Sequence, residues 1–413
     1  MATLSKALLV LWAASLAYGQ QPIVTPFRAD GIYAAGERVG WTVALPQGAR
    51  AAGRYTYAIR QNNSETIQTA ELDLSQGPAT IETTRYEPAM LYLELTYPNA
   101  TALHFGAAVA PTKMKPSVPR PADFDAFWDG KLKALAAIPA QPVVTKTETA
   151  QTGVELYTVK VQSVGSQVQG YLAKPSRPGK FPALVIYQYA GVYALQPSVV
   201  TDPAAEGWLA FDVDSHDQAP SSAIGAPPNY QAVGNTSRET SYFLNMYLRD
   251  ARAIDYIASR PDWDGKTIVI MGTSMGGQQS LVTAALRRDQ VTAVIVNVPS
   301  GADTHGDLYG SKAGYPNWPS SNPKVAETAL YFDTVNFASR IKAPVLAALG
   351  FIDIIAAPAG IWRAVNQIPG RKGVIGMVES NHDNFTPEKQ GEYRARSKAW
   401  LDSLLKSATV PPR

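Results

Sequence analysis

Six short apolar runs, separated by segments of helical character, constrain the fold of this 413-residue chain more than any other feature. Each run is five residues long and rich in aliphatic side chains, which is typical of strands buried on both faces of a parallel sheet. Helical patterns fall between several of them, for example at 242–259 and 278–287. The succession predicts an α/β fold, a mostly parallel sheet with helices on both faces. The runs are 183–187, 209–213, 267–271, 293–297, 345–349 and 373–377.

The first 110 residues follow a different pattern. Residues 39–45, 54–59 and 91–97 alternate large apolar and smaller side chains, with Gly, Pro and Asn in the intervals. Short strands at such spacing predict a small all-β sandwich, interpreted here as an immunoglobulin-like module over residues 20–110. Its aromatic side chains could bind sugar at the surface, but they are expected in the core, where such residues are commonly found.

A linker and a helix open the second predicted domain, residues 111–413. The segment 111–121 contains four prolines, which is a linker composition. After it, five large apolar side chains recur at helical spacing and predict one buried stripe. They are Phe124, Phe127, Trp128, Leu132 and Leu135.

The N-terminus has the composition of a secretory signal peptide. Lys6 supplies a positive charge, an apolar run extends from Ala7 to Leu16, and Ala17-Tyr18-Gly19 has the small-x-small form of a cleavage site. The run is shorter than the roughly 20 residues of a membrane span. We therefore predict a signal peptide over 1–19, a mature chain from Gln20 or Gln21, no membrane attachment after cleavage, and a secreted or periplasmic location.

Composition excludes several classes of function. The chain has no cysteine, so it has no disulfide, no thiol nucleophile and no thiolate metal site. Its formal net charge is +3, without a dense basic stripe, so nucleic acid is not expected as a partner.

The segment Gly272-Thr273-Ser274-Met275-Gly276 has the form G-x-S-x-G. The motif alone is weak evidence, because a glycine-rich turn with a surface serine has the same letters. Here it follows the predicted strand 267–271 and precedes a helix, as in the tight strand-to-helix turn of the α/β-hydrolase fold. That turn exposes the serine oxygen beside a helix N-terminus that favours negative charge. We predict Ser274 as a nucleophile.

A serine hydroxyl needs a base, and the chain has four histidines. The order in this fold is serine, acid, histidine. His104 and His216 precede the serine, and His305 comes too early to follow an acid. His382 lies in the polar loop 379–384 after the last apolar run, and sites assemble at the carboxyl ends of strands in open α/β sheets. His382 is the predicted general base; its alternative is an exposed loop residue.

The remaining groups follow from the same order. Asp353 comes directly after the run 345–349 and is predicted to orient the histidine, although a helix N-cap is an alternative role for an aspartate there. Asp383 is a second candidate for the acid, but a residue adjacent to His382 in the chain is poorly placed to reach the His382 ring. An oxyanion hole needs two N–H donors, predicted as Met275 and, from the loop 188–193, Val192. This chemistry requires no metal or organic cofactor.

Several segments resemble the acetyl xylan esterase and cephalosporin C deacetylase family, carbohydrate esterase family 7. The resemblance covers about residues 115–405 and implies the α/β-hydrolase fold and the removal of small acyl groups, acetyl above all, from oligo- or polysaccharide. Family members often form oligomers through the hydrolase domain, so a homo-oligomer is also implied. The resemblance rests on residues 121–128, 188–191, the helix 242–259, 272–277, 350–353, 357–358 and His382.

The chain departs from that family at identifiable positions. The family typically has Arg-Gly-Gln after the second strand, whereas 214–218 here reads Asp-Ser-His-Asp-Gln, so only Gln218 matches. Met275 replaces a glutamine, Asp383 replaces a glutamate, and the β module is additional. Two alternatives therefore stand beside the esterase hypothesis. One is a serine peptidase of the prolyl oligopeptidase type, although about 90 residues are too few for its propeller. The other is a non-catalytic carbohydrate-binding relative.

Overall fold

The structure, a computed structural model, describes residues 21–51, 53–98, 100–383 and 386–411. The predicted signal peptide lies outside the described residues. From residue 21 the described part of the chain forms strands alone as far as residue 109, and it then continues as strands and helices, as the sequence predicts.

The N-terminal strands form two sheets with a common core. One sheet has the order β1-β3-β6 and the other β2-β8-β7-β4-β5. Period-2 alternation places Leu91, Leu93 and Leu95 of β7 between the sheets, whereas Met90 packs into the core of the α/β region. The all-β region is thus confirmed. Its strands are β1 (Ile23–Pro26), β2 (Ile32–Tyr33), β3 (Arg38–Ala44), β4 (Tyr55–Gln61), β5 (Glu65–Leu72), β6 (Ala79–Thr84), β7 (Ala89–Thr96) and β8 (Leu103–Val109).

A single large sheet organises the rest. Its order is β17-β16-β15-β14-β12-β13-β11-β10-β9, parallel from β17 to β13 and antiparallel from β11 to β9. The parallel strands β13, β15 and β16 are buried at every residue, which is why they read as continuous, mainly apolar runs. The strands are β9 (Val143–Thr147), β10 (Val154–Ser163), β11 (Ser166–Pro175), β12 (Phe181–Tyr187), β13 (Leu209–Val213), β14 (Trp263–Thr273), β15 (Ala293–Asn297), β16 (Val345–Gly350) and β17 (Lys372–Met377).

Helices cover both faces of this sheet. The core on one face includes side chains of α1, α3, α4 and α7, and the core on the other includes those of α2 and α8. The predicted stripe after the linker lies on α1, where Trp128 is fully buried and donates to the Tyr331 carbonyl at 3.0 Å. The helices are α1 (Phe124–Ala136), α2 (Ser198–Glu206), α3 (Tyr242–Ser259), α4 (Met275–Leu286), α5 (Pro323–Ala329), α6 (Thr334–Ala338), α7 (Pro358–Gln367) and α8 (Pro387–Ser407).

The N-terminal strands pack directly on the α/β region. A Cβ at Gly106 of β8 would lie 2.4 Å from the Cβ of Phe351, so only glycine permits this approach. Asn366 of α7 donates to the carbonyls of Pro111 and Met114 at 2.9 and 3.0 Å. The boundary near residue 110 remains a prediction about domains, but the two regions share buried contacts.

Candidate active site

Ser274 occupies a tight turn between β14 and α4. Its φ of 56° and ψ of −121° lie in a region that non-glycine residues rarely adopt. The flanking glycines allow this turn, because a Cβ at Gly276 would lie 2.1 Å from the Tyr187 carbonyl oxygen and one at Gly272 would lie 2.3 Å from the carbonyl carbon of Gly276. The strained turn holds the Ser274 hydroxyl at the carboxyl edge of the sheet.

The three residues predicted for catalysis form one chain of hydrogen bonds. Ser274 Oγ lies 2.8 Å from His382 Nε2, and His382 Nδ1 lies 2.8 Å from Asp353 Oδ2. A carboxylate only accepts, so the ring carries its proton on Nδ1 and its Nε2 accepts from the serine. The structure brings Asp353, not Asp383, to the ring.

Backbone groups fix the carboxylate in this position. Asp353 is 1% exposed, and its Oδ1 accepts from the N–H groups of Ile355 and Ala356, both at 2.8 Å. The loop is tied to the next strand because Phe351 donates to the carbonyl of Met377 at 3.0 Å. Since β16 and β17 are neighbouring parallel strands, their carboxyl ends present Asp353 and His382 at the same edge.

A cavity of about 520 Å³ opens over this chain of hydrogen bonds. Its polar walls include the hydroxyl of Ser274 and the ring of His382, and Ile355 supplies an apolar wall. We name it the serine cavity. Its lining residues are Tyr189, Ala190, Thr273, Ser274, Tyr315, Ile355, His382 and Asp383.

The loop between β12 and α2 is held from both sides at Gly191. The Gly191 carbonyl lies 2.9 Å from His216 Nε2, and the Gly191 N–H donates to the Tyr230 hydroxyl at 3.4 Å. Because a carbonyl only accepts, Nε2 carries the His216 proton, and Nδ1 accepts from the Tyr242 hydroxyl at 2.9 Å. We call His216, Tyr230 and Tyr242 the Gly191 clamp.

The clamp also contacts the side chain of Met275, one of the two predicted oxyanion donors. Tyr230 donates to the Met275 sulfur at 3.3 Å and lies 3.1 Å from the Tyr315 hydroxyl. As the first residue of α4, Met275 has an N–H without an intrahelical acceptor. Val192 follows Gly191 directly and is partly buried against the apolar core. Its role as second donor stays a prediction.

Burial sets the charge state of two polar groups at the end of β13. It lowers the pKa of His216 to about 4, because the imidazolium would lose its hydration. It raises the pKa of Asp214 to about 7, even though Gln218 Nε2 and the His216 N–H donate to that carboxyl at 2.9 and 2.7 Å. His216 is therefore a neutral donor at neutral pH.

The sequence did not indicate the roles of the clamp residues. His216 stood out only as a departure from Arg-Gly-Gln, and Tyr230 and Tyr315 lie in loops rich in Pro, Gly, Ser and Asn, where no periodic pattern predicts contacts. Within the described residues, no group of His, Asp and Glu side chains has the arrangement of a metal site. In that same part of the chain, no helix combines the length and apolar character needed to cross a membrane.

Comparison with known proteins decides the family. The family model described as acetyl xylan esterase (AXE1) matches residues 111–305 and 314–401. The chain belongs to the acetyl xylan esterase family. It is a carboxylic ester hydrolase, as the sequence predicts. The match begins where the linker begins, which is consistent with a catalytic region after residue 110.

Individual relatives agree with this assignment. The acetyl esterase Axe7A of Xylanibacter ruminicola is 30% identical over 373 residues, covering 85% of this chain and 84% of that protein. Two solved structures share the fold with a TM-score of 0.61. The acetyl xylan esterase from Paenibacillus sp. R4 is 24% identical and matches 69% of this chain and 97% of its own. Acetyl xylan esterase 1 from Thermoanaerobacterium sp. JW/SL YS485 is 22% identical, and the match covers 72% of this chain and 98% of that protein.

Proposed function

We propose that this protein hydrolyses short acyl esters of carbohydrates, chiefly acetyl esters, with Ser274 as nucleophile, His382 as general base and Asp353 as the acid that orients it. The observation that carries the proposal is the unbroken chain of 2.8 Å contacts from Ser274 through His382 to Asp353 at the serine cavity. Family membership favours this activity over the peptidase and the non-catalytic alternatives.

The reaction follows from the direction of these hydrogen bonds. Ser274 Oγ bonds to the ester carbonyl carbon while its proton moves to His382 Nε2, and Asp353 stabilises the imidazolium. The N–H groups of Met275 and Val192 are the donors that we propose for the oxyanion. The carbon–oxygen bond to the alcohol then breaks, and His382 protonates the leaving alcohol. Water attacks the acyl-enzyme by the same route, which releases the acid and regenerates Ser274.

The test is hydrolysis of p-nitrophenyl acetate, butyrate and octanoate by the purified protein and by Ser274→Ala. We expect activity on acetate that falls with chain length, and a loss of at least about 10⁴-fold in kcat for Ser274→Ala. Ser397→Ala is the matched control, because Ser397 is a buried serine of α8 whose hydroxyl donates to the Tyr393 carbonyl. Activity of the folded protein no higher than that of Ser274→Ala would refute the proposal.

Export and domain division are part of the same proposal. We propose cleavage of residues 1–19, which would release a mature protein of a β module and a catalytic domain into the periplasm or the medium. The composition of the first 19 residues supports this. N-terminal sequencing of protein recovered outside the cytoplasm should read from Gln20 or Gln21. An intact Met1 in that fraction would contradict cleavage.

A further inference from the structure

A second cavity, of about 550 Å³, adjoins the serine cavity. The two share Tyr189 and Thr273 as lining residues. The second cavity lies on the face of the sheet covered by α2, and its walls are mainly apolar. We name it the Asp212 cavity after the one carboxyl group that lines it; its other walls include Ile186, Tyr193, Leu195, Val199 and Met271.

Asp212 is an unusual residue for its position. It lies in β13, in register with Ile186 of β12, and its neighbours Phe211 and Val213 face the opposite core. The side chain is 3% exposed and lines the cavity, and no described residue donates a hydrogen bond to its carboxyl group. A carboxyl group with so little exposure and no protein partner is costly unless a molecule in the cavity supplies the hydrogen bonds.

The charge state of Asp212 narrows the choice of ligand. Burial, reinforced by the nearby Asp214 carboxyl, raises the pKa of Asp212 well above its ordinary value. In its protonated form, which the raised pKa favours, the group presents one O–H donor and one carbonyl acceptor to the cavity. A neutral donor–acceptor pair matches the hydroxyl groups of an uncharged ligand.

Aromatic rings lie where the two cavities meet. Tyr189 is 54% exposed and stacks on Tyr193, with ring centroids 4.5 Å apart and planes inclined by 26°. Tyrosine rings offer an apolar face and a polar tip, which suits a ligand with C–H groups on its faces and hydroxyls at its edge. A sugar ring has both features.

We propose that the Asp212 cavity binds a neighbouring sugar unit of the carbohydrate whose acyl ester lies at Ser274, with the Asp212 carboxyl hydrogen-bonded to its hydroxyls and Tyr189 between the two units. The adjacency of the two cavities, which have Tyr189 and Thr273 as common walls, is what carries this inference. It rests on the proposed esterase function and adds a preference for oligosaccharides over monosaccharides.

The test compares kcat/KM for p-nitrophenyl acetate, acetylated xylose and acetylated xylotriose. Asp212→Leu removes the hydrogen-bonding groups and places an apolar side chain in the cavity. Val199→Trp narrows the cavity from its rim, where Val199 is 37% exposed and has no core contact to lose. Val143→Trp is the matched control, because Val143 is 59% exposed on β9 at the far edge of the sheet.

We expect both cavity variants to lower kcat/KM for acetylated xylotriose about tenfold or more, with the two smaller substrates and the Val143→Trp control unchanged. Equal kcat/KM for xylotriose in wild type and Val199→Trp, or an equal loss on all three substrates, would overturn the inference. Thermal melting of each variant checks that it is folded. Absence of p-nitrophenyl acetate hydrolysis by the wild type would instead refute the proposed function, so the two failures are distinct.

Discussion

Removal of the His216 ring should lower kcat, because it frees the loop that carries the proposed oxyanion donor Val192. It should have little effect on substrate binding. His216 Nε2 donates to the Gly191 carbonyl at 2.9 Å, one residue before Val192. His216→Ala removes that donor and leaves Gly191 attached to the clamp only through the 3.4 Å bond to Tyr230. The peptide that presents the Val192 N–H is then free to rotate away from the oxyanion.

The magnitude follows from the groups left without partners. His216→Ala orphans the Gly191 carbonyl and the Tyr242 hydroxyl, each at a cost of about 1–3 kcal/mol, so we expect the free energy of unfolding to fall by about 2–6 kcal/mol. Complete loss of one oxyanion donor lowers kcat by about 10²–10³-fold. Since Tyr230 still holds one side of Gly191, we expect a decrease of about 10–100-fold in kcat with KM nearly unchanged.

The assay is the rate of p-nitrophenyl acetate hydrolysis over a range of substrate concentrations, beside thermal melting. His216→Gln keeps an N–H donor near the position of Nε2, so it should recover kcat to within about fivefold of wild type. His104→Ala is a control, since His104 lies on β8 and contacts Glu94. A melting temperature lowered in His216→Ala with kcat unchanged would show that His216 is only structural and refute the reasoning.

Two further predictions concern the supports of the site. Phe351 fills the space between Gly106 and Gly376 and lies two residues before Asp353. Phe351→Ala should lower the free energy of unfolding, measured in denaturant, by about 3–5 kcal/mol, and it should also lower kcat. An unchanged kcat would show that this packing does not position Asp353 for catalysis. Because burial raises the pKa of Asp214 to about 7, its contribution to stability is complete below about pH 4 and is lost as pH rises towards 7. Between pH 5 and pH 8 the free energy of unfolding in urea should decrease less for Asp214→Asn than for wild type. Equal decreases would contradict the raised pKa of Asp214.

The parallel part of the fold was predictable because its evidence is local. Strands buried on both faces are mostly apolar, so β13 and β15 have the predicted bounds, and β14 differs only by extending further at each end. The hydrogen-bonded chain that we propose as the triad was predictable for a related reason. Its order along the chain and the placement of each residue after a strand are properties of sequence, and the parallel sheet converts them into proximity.

The antiparallel edge of the sheet was not predicted strand by strand. β9 is exposed along most of its length, and β10 mixes buried and half-buried residues, so neither is a clear apolar run. The clamp and the Asp212 cavity were missed for a different reason. His216 contacts Gly191, 25 residues away, and Tyr242, 26 residues away, and no local pattern encodes contacts between loops. Asp212 was recognised only as part of a strand.

Three polar side chains are concentrated at the end of β13. Asp212, Asp214 and His216 recur at every second position, and all three are almost fully buried. Buried polar groups weaken a fold unless their partners compensate, and Asp212 has no partner among the described residues. His216 binds the Gly191 carbonyl, Asp214 binds Gln218, and Asp212 lines the second cavity. The departure from Arg-Gly-Gln therefore leaves the loop before α2 fixed, because a neutral histidine holds Gly191, and it leaves a carboxyl group on the wall of the cavity that we propose for a substrate hydroxyl.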